Sequence, residues 1–342
     1  MIEKRKEKQA IPAATAFPFG GADKKALRIV FMGTPEFAVA SLDKLVQSGY
    51  KIVGVITAPD KPGGRGMELQ QSAVKKYAVM HDLHILQPEK LKNPEFLEEL
   101  RSLKADLQVV VAFRMLPEVV WNMPPNGTIN VHGSLLPQYR GAAPINWAII
   151  NGEKFTGVTT FKLQHEIDTG DILLQETFPI GEDDDAGKVH DTMKELGADL
   201  LLKTIRGIEN GNLKGTPQSA IGNRQYGDLI ADSQLPIALA PKIFTETCNI
   251  DWQKTTEQVY NLIRGLSPYP AAFTTFQDKK LKIFKAKKIN TKPSISPGEF
   301  ETDQKKYLRF AGSDGYIDVV ELQLEGKKKM GVEDFLRGFR FV

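Results

Sequence analysis

The polar pair Asn130 and His132 lies near the end of GTINVHG, a stretch with the pattern of a buried strand. In an extended segment the side-chain period is two, so both side chains point to the same face and can address one reacting centre. An imidazole can transfer a proton near neutral pH, and an amide can donate hydrogen bonds to an oxyanion. Burying this pair costs free energy unless both side chains find partners, so a purely structural role is disfavoured. The spacing therefore predicts a catalytic pair.

A carboxylate that could complete the group lies in HEIDTGDIL, where Asp168 precedes Thr169 and Gly170. These neighbours favour a turn between two strands. Ordinary aspartates are also common in such turns. Composition alone therefore leaves a catalytic and a structural role for Asp168 equally open.

Three other kinds of site are disfavoured by the residues that surround them. The turn after Gly33 has a single glycine, and Pro35 removes a backbone donor from it, so a nicotinamide dinucleotide is not expected. His81 and His84 are three apart but have no further ligand cluster nearby, so no metal site is expected. Ser134 lacks the glycine-flanked elbow of a hydrolase nucleophile, which favours a structural turn.

Hydrophobic patterning predicts the elements that would position the polar pair. A buried-type strand at 27–33 is followed by a helix with Thr34 as its cap, Pro35 in its first turn and Gly49 at its end. A strand at 51–57 then completes a crossover unit, so a parallel sheet is expected, with ligands bound beyond the carboxyl ends of its strands. The further predicted elements are strands at 107–113, 127–133, 157–163 and 171–180 and a helix at 188–208.

The C-terminal third has a different pattern, with a short helix at 256–265 and several short strands separated by turn residues. We therefore predict an α/β fold, a doubly wound and mostly parallel Rossmann-like sheet, followed by a small C-terminal β-barrel of the OB type. The predicted organisation is a disordered tail at 1–26, a catalytic domain at 27–208, a linker at 209–241 and the barrel domain at 242–342.

Composition indicates the cellular compartment of the protein and the kind of partner it binds. The 342 residues include one cysteine, Cys248, which rules out an intrachain disulfide and favours a reducing compartment. No apolar run reaches the roughly 18 residues that a membrane span needs. We therefore expect a cytoplasmic monomer with no membrane contact. The net charge is +3, but residues 250–342 carry 17 Lys and Arg against 12 Asp and Glu, which indicates a polyanion-binding surface there.

Two longer motifs resemble the signature of formyltransferases that use 10-formyltetrahydrofolate. They are NVHGSLLPQYRGAAP, from Asn130 to Pro144, and DTGDIL, which contains Asp168. Further stretches, IVFMGTPEFAVASL, APDKPGGRG and ELQLEGKKKM, resemble the branch of the family that acts on methionyl initiator tRNA, and the similarity covers residues 27–342. The resemblance implies that a formyl group passes from the folate to the α-amine of the esterified methionine, which supports translation initiation.

The resemblance also assigns residues to each task. It implies a catalytic trio of Asn130, which holds the oxyanion, His132, which transfers the proton, and Asp168, which fixes the imidazole tautomer and stabilises the imidazolium. It implies no metal. The implied folate-binding residues are Phe113, Arg114, Met115, Leu116, Ser134, Leu135, Leu136 and Pro137. The family usually has a Tyr-Gly-type turn where this chain has Phe113, Arg114 and Met115. The resemblance therefore does not identify which side chains line the pterin pocket.

The tRNA contacts implied by the resemblance combine a glycine-rich loop with the basic C-terminal domain. The expected residues are Lys61, Arg65, Lys279, Lys280, Lys282 and Lys285. One alternative is a formyltransferase that acts on a small amine, such as an amino sugar nucleotide or glycinamide ribonucleotide. The basic domain and the loop disfavour it, because a small substrate needs neither. A catalytically silent RNA-binding protein is a second alternative, disfavoured by the intact trio.

Overall fold

A computed structural model describes residues 27–63, 67–221 and 237–340. The predicted tail at 1–26, Arg65 and residues 222–236 of the predicted linker lie outside the described residues. The strands of the N-terminal part are β1 (Arg28–Gly33), β2 (Lys51–Ile56), β3 (Lys61–Gly63), β4 (Glu68–Gln70), β5 (Ile85–Leu86), β6 (Leu107–Val111), β7 (Thr128–His132), β8 (Arg140–Gly141), β9 (Phe155–Lys162) and β10 (Ile172–Pro179). Its helices are α1 (Glu36–Gln47), α2 (Ala73–Met80), α3 (Pro94–Ser102), α4 (Glu118–Trp121), α5 (Pro144–Ile150), α6 (Ala186–Glu209) and α7 (Gln218–Ile221).

Seven of these strands form one sheet in the order β10-β9-β7-β6-β1-β2-β5. The pairs from β7 to β5 are parallel, whereas β9 pairs antiparallel with both β7 and β10. Strand β6 is buried along its whole length, as expected for a strand with helices on both faces. The predicted mostly parallel Rossmann-like sheet is confirmed.

Side chains alternate between two hydrophobic cores, one on each face of the sheet. Val109 and Val131 belong to the larger core, which also contains residues of α1, α5 and α6. Val110, in register with Asn130, belongs to the second core, together with residues of α3 and α4. Asn130 and His132 therefore share the face of Val110.

Two helices begin at residues other than those that the sequence analysis predicted. Pro35, and not Thr34, is the N-cap of α1, and no side chain caps this end. The helix predicted at 188–208 begins at Ala186, because the carboxylate of Asp185 accepts a hydrogen bond from the backbone N–H of Lys188 at 2.8 Å.

The C-terminal part folds into an antiparallel half-barrel. Its main sheet has the order β12-β13-β16-β15-β14, with β17 paired to β16, and its core is rich in stacked rings such as Trp252 on Phe310 at 4.9 Å. The elements are β11 (Leu239–Ala240), a 3₁₀ turn (Glu246–Cys248), α8 (Thr256–Gly265), β12 (Ala272–Phe276), β13 (Lys279–Ile289), β14 (Phe300–Thr302), β15 (Leu308–Ala311), β16 (Tyr316–Leu324), β17 (Met330–Gly331) and α9 (Val332–Gly338).

The half-barrel is held against the N-terminal part by α8, which packs on α5. The side-chain amide of Asn146 donates to the carbonyl of Gly265 at 2.7 Å, and a Cβ at Gly265 would lie only 2.7 Å from Ile150. The buried Arg264 guanidinium donates to the carbonyls of Gly181 and Asp184, and the Tyr260 hydroxyl donates to Asp183 at 2.7 Å.

The segment predicted as a linker is partly structured. It contains α7 and β11, and β11 pairs in parallel with β8, so it returns to the N-terminal sheet region. Within the described ranges, no helix is long and apolar enough to cross a membrane.

Candidate active site

The predicted polar pair lies at the carboxyl end of β7, in the wall of a large cavity. Strand β7 is flanked there by β6 and β9, with Asn130 in register with Val110 and Phe161. The cavity has a volume of about 760 Å³ and spans the ends of β1, β6 and β7, and all three residues of the predicted trio line it. The structure therefore brings Asn130, His132 and Asp168 together at the sheet edge where ligands of such folds bind.

His132 is 7% exposed and is held by a backbone carbonyl. Its Nε2 lies 2.9 Å from the carbonyl oxygen of Tyr139, and its Nδ1 lies 3.9 Å from Oδ2 of Asp168. A carbonyl can only accept, so this contact assigns the proton of the neutral ring to Nε2 and leaves Nδ1 as the basic nitrogen. Tyr139, and not Asp168 as expected, thus sets the tautomer.

Asp168 is held in the turn by backbone contacts. Its φ is +54°, and its Oδ2 accepts a hydrogen bond from the N–H of Gly141 at 3.0 Å. Gly170 lies two residues later in the same turn. A Cβ at this position would lie 1.6 Å from the carbonyl oxygen of Lys162, so no larger residue fits. Gly170 is therefore required by the close approach of two backbone segments, and the turn places Oδ2 of Asp168 3.9 Å from Nδ1 of His132.

The residues expected to bind folate fall into two groups. Phe113, Arg114, Met115 and Leu116 line the cavity. The Arg114 guanidinium lies over the Phe113 ring at 5.6 Å and donates to the carbonyls of Glu89, at 2.8 Å, and Pro88. Burial lowers the pKa of this guanidinium from its usual value. These contacts fix Arg114 to the neighbouring loop, with its stem beside the cavity.

Residues 134–137 do not line the cavity. Ser134, Leu135 and Leu136 are buried beneath it. The Ser134 hydroxyl donates to the carbonyl of Gln138 at 2.7 Å, and the Leu136 N–H donates to the hydroxyl of Thr159 at 3.1 Å. The segment therefore shapes the turn that leads from His132 to Tyr139.

The cavity wall also contains residues that the sequence analysis did not single out. Trp121 and Leu163 extend the apolar wall on the side of Phe113, and Phe37, Ile145 and His190 form the opposite side. The rings of Phe37 and His190 meet edge to face at 5.2 Å. Phe37 and Leu163 could have been predicted as lining residues because they lie at or just after the ends of the predicted strands that became β1 and β9. His190 lies on α6, and no sequence pattern marked it as a lining residue.

A second cavity of about 440 Å³ adjoins the first. Ala142, Ala143 and Asn146 line both. Six further lining residues are cations or aromatic rings, of which Tyr269 and Phe244 are 82% and 57% exposed. These residues are Lys242, Lys280, Lys282, Phe244, Tyr269 and Phe273.

The residues expected to bind tRNA are only partly brought together. Lys280 and Lys282 line the second cavity, where Nζ of Lys280 lies 4.3 Å from the ring centre of Phe273 and Nζ of Lys282 donates to the carbonyl of Pro270 at 3.1 Å. Lys279 and Lys285 are exposed on the same strand, outside the cavity lining, and Lys61 is exposed on β3. Arg65 belongs to the part of the chain that is not described.

In the described part of the chain, one group of side chains has metal-ligand spacing. It consists of Glu36, His190 and Asp191. The ammonium of Lys194 lies 2.8 Å from Glu36 and 3.5 Å from Asp191, so a cation already neutralises these carboxylates.

Comparison with known proteins agrees with this geometry. Residues 27–205 match the family model described as formyl transferase, and residues 242–340 match the one described as formyl transferase, C-terminal domain. A methionyl-tRNA formyltransferase from Bacteroides fragilis is 52% identical over 321 residues, which cover 92% of this chain and 96% of that protein.

Two solved structures share the fold. HypX from Aquifex aeolicus in complex with tetrahydrofolic acid matches with a TM-score of 0.60 at 20% identity, over 92% of this chain and 48% of HypX. An N-formyltransferase from Helicobacter canadensis in complex with folinic acid and dTDP-3-aminofucose matches with a TM-score of 0.62 at 22% identity, over 89% of this chain and 100% of that one.

Proposed function

Since this chain belongs to the formyl transferase family, we propose that it transfers a formyl group from 10-formyltetrahydrofolate to the α-amine of methionyl initiator tRNA. The observation that carries this assignment is the identity of 52% with a methionyl-tRNA formyltransferase along nearly the whole chain. The formylated product would serve translation initiation, and we propose that the enzyme works in the cytoplasm. We further propose that it acts as a monomer and without a metal.

The donor binds in the first cavity, on the side of Phe113 and Trp121. A folate presents a flat ring system, and this side of the cavity offers aromatic and aliphatic side chains, with Leu116 and Leu163 among them. Backbone groups of 112–116 are available for the polar edge of the ring. The formyl carbon then lies at the strand end, within reach of the trio.

The acceptor amine must be neutral to attack, and an α-amino group with a pKa of about 7.7 to 8.0 is partly neutral at pH 7. The amine nitrogen bonds to the formyl carbon, and the carbonyl electrons move to the oxygen, where the amide of Asn130 donates to the oxyanion. Nδ1 of His132 takes the amine proton. As the oxyanion collapses, the bond between the formyl carbon and the folate nitrogen breaks, and His132 returns its proton to that nitrogen.

Asp168 acts on the charge of the imidazole. Its Oδ2 is 3.9 Å from Nδ1 of His132, which is too long for a hydrogen bond but within the range of an ion pair in a partly buried site. The carboxylate therefore stabilises the imidazolium formed when the amine proton is taken. The Gly141 N–H keeps Oδ2 in place for this role.

The second cavity supports a nucleic-acid acceptor. It is joined to the first through Ala142 and Ala143, and its cations suit phosphates while its exposed rings suit unpaired bases. We propose that Lys61, Lys279 and Lys285, which are exposed, and Arg65, which lies outside the described residues, contact the rest of the tRNA. A small amine needs no such groove, so the amino-sugar alternative gains no support from it.

The test is a direct comparison of acceptors. The full-length protein is incubated with 10-formyltetrahydrofolate and either methionyl initiator tRNA, glycinamide ribonucleotide or an amino sugar nucleotide, and formylated product is measured by mass spectrometry. We expect product with the tRNA only. Formylation of a small amine with a higher kcat/KM than that of the tRNA would refute the proposal.

A further inference from the structure

Gln218, the first residue of α7, uses every hydrogen-bonding group of its side-chain amide. It is 6% exposed. Its Oε1 accepts from Arg140, at 2.6 Å from Nη2 and 3.2 Å from Nε, and its Nε2 donates to the carbonyls of Asp168 at 2.8 Å and Gly170 at 2.9 Å. One side chain from the predicted linker thus joins two separate loops of the reaction site.

Each of these loops carries a group that acts on His132. Arg140 follows Tyr139, whose carbonyl accepts from Nε2 of His132, and it precedes Gly141, whose N–H donates to Asp168. The contacts close a ring that runs from His132 through Tyr139, Arg140, Gln218 and Asp168, back to His132. Gln218 is joined to His132 only through Asp168 on one side and through Arg140 and Tyr139 on the other.

The backbone of both loops that Gln218 joins has an unfavourable conformation, which must be stabilised by tertiary contacts. Tyr139 and Asp168 have φ values of +60° and +54°, in the left-handed region that is unfavourable for residues with a Cβ. Gly141 has a φ of +127°, and a Cβ there would lie 2.5 Å from the carbonyl oxygen of Ala240. Such conformations persist only where the surroundings over-determine them.

An amide is the side chain that this position requires. Its oxygen must accept from a guanidinium while its nitrogen donates to two carbonyls. A glutamate would still accept from Arg140, but it would place a second oxygen against the carbonyls of Asp168 and Gly170, where nothing is left to donate.

We propose that Gln218 is a positioning residue for formyl transfer, which holds the Tyr139 carbonyl and the Asp168 carboxylate in register with the imidazole of His132. The inference rests on the proposed function. A small displacement of either loop would change the direction of Nδ1 or its distance from the carboxylate, and misplacements of about 1 Å can cost about 100-fold in rate. Substrate binding involves other parts of the cavity and is not expected to depend on Gln218.

The experiment compares Gln218→Glu with Gln87→Glu in the full-length protein. Nε2 of Gln87 also donates twice, to the carbonyl of Ala58 at 2.8 Å and the carboxylate of Asp60 at 2.9 Å, but Gln87 lies outside the ring and outside the turn from His132 to Tyr139. We expect Gln218→Glu to lower kcat by about 10- to 100-fold, with the KM of each substrate within about threefold. Gln87→Glu is expected to keep kcat.

A wild-type kcat for Gln218→Glu, an equal loss in both variants, or a loss confined to KM would overturn the inference. If circular dichroism shows that Gln218→Glu does not fold, Gln218→Met is measured instead and judged by the same criteria. The methionine side chain has a similar length and adds no charge. The wild-type protein is assayed in parallel. A wild type that does not formylate methionyl initiator tRNA contradicts the proposed function, whereas an active wild type with equally active Gln218 variants contradicts this inference alone.

Discussion

Nε2 of His132 lies 2.9 Å from the carbonyl oxygen of Tyr139, and this contact faces away from the carboxylate of the site. In the proposed mechanism the base is therefore Nδ1, the nitrogen on the side of Asp168. In the better-known arrangement a carboxylate orients the ring and the far nitrogen reacts. Here the ring is oriented by a peptide group, and the carboxylate is left to stabilise the charge that develops on the imidazole.

This geometry predicts the effect of His132→Gln. The glutamine amide can still donate to the Tyr139 carbonyl, but it cannot take a proton from the amine. We expect kcat to fall by about 100-fold or more, with little change in substrate binding, as measured by steady-state kinetics. His84→Gln, at an exposed histidine paired with Glu99, is the matched control and should keep the wild-type kcat. A near wild-type kcat for His132→Gln would remove His132 from the mechanism.

Asn130→Ala tests the oxyanion contact. Loss of one oxyanion donor typically costs about 10²- to 10³-fold in kcat, and the folate should still bind because its ring contacts lie elsewhere in the cavity. Folate affinity can be measured by fluorescence titration alongside the kinetics. Asn126→Ala, in the turn before β7 at the opposite edge of the sheet, serves as the control. If Asn130→Ala weakened folate binding and left kcat unchanged, Asn130 would be a binding residue.

The second cavity predicts a separate effect on the acceptor. Tyr269→Ala removes an exposed ring, and stacking of one base on an aromatic side chain is worth about 1 to 3 kcal/mol. We expect the KM for methionyl-tRNA to rise about fivefold or more and the KM for the folate to stay constant.

Lys280→Ala should raise the KM for methionyl-tRNA as well, and it should also flatten the salt dependence of tRNA binding, because one phosphate-neutralising cation is lost.

Lys51→Ala is the control for this surface, because Lys51 is exposed at the amino end of β2, on the edge of the sheet away from the cavities. It should leave both KM values and the salt dependence unchanged. Equal effects of Lys51→Ala and Lys280→Ala would mean that net charge, rather than the groove, controls tRNA binding.

Tyr260 predicts a pH dependence of stability. Burial, together with the hydrogen bond to Asp183, raises the pKa of its hydroxyl to about 12, above the usual value of about 10. The folded state thus holds this proton more tightly, so its contribution to the free energy of unfolding is complete below pH 10 and is lost as the pH rises through 12. Tyr260→Phe should be destabilised by about 1 kcal/mol at pH 8. In urea titrations that difference should shrink by pH 11, and a constant difference would contradict the assignment.

Gly265→Ala tests how closely α8 must approach α5. The added Cβ would lie 2.7 Å from Ile150 Cγ1 and 3.2 Å from the carbonyl oxygen of Asn146. We expect a loss of about 1 to 3 kcal/mol in the free energy of unfolding, measured by thermal or urea denaturation. Gly338→Ala, at the last residue of α9, is the matched control, because no atom apart from its chain neighbours and its own helix lies within 4 Å of its Cβ position. Similar losses in both variants would show that the helix contact tolerates the extra methyl group.

Much of the site follows from local pattern. Asn130 and His132 share a face because they are two apart in a strand, and that strand was recognisable from the apolar residues around it. The parallel sheet followed from strand and helix spacing, and the catalytic end of the sheet followed from its topology.

The sequence analysis failed where tertiary contacts, rather than pattern, create the structure. Gln218 lies in a helix of four residues, and β11 has two, so neither carries a measurable period. Ser134 to Pro137 follow the trio closely in sequence, but the chain turns inward after Gly133, and these residues become buried. The role of Gln218 depends on contacts with Arg140, 78 positions earlier, and with the carbonyl of Asp168, 50 positions earlier, which no local signal reports.

The parallel pairing of β8 with β11 also has a consequence for synthesis. The N–H of Tyr139, the residue whose carbonyl accepts from His132, donates to the carbonyl of Ala238, about a hundred residues later in the chain. The last strand of the seven-stranded sheet ends at Pro179, well before these later contacts are synthesised. A nascent chain that ends before Gln218 therefore contains every strand of the sheet but lacks the contacts of Gln218 and Ala238, so under the proposed mechanism we expect catalytic competence to arise late in synthesis.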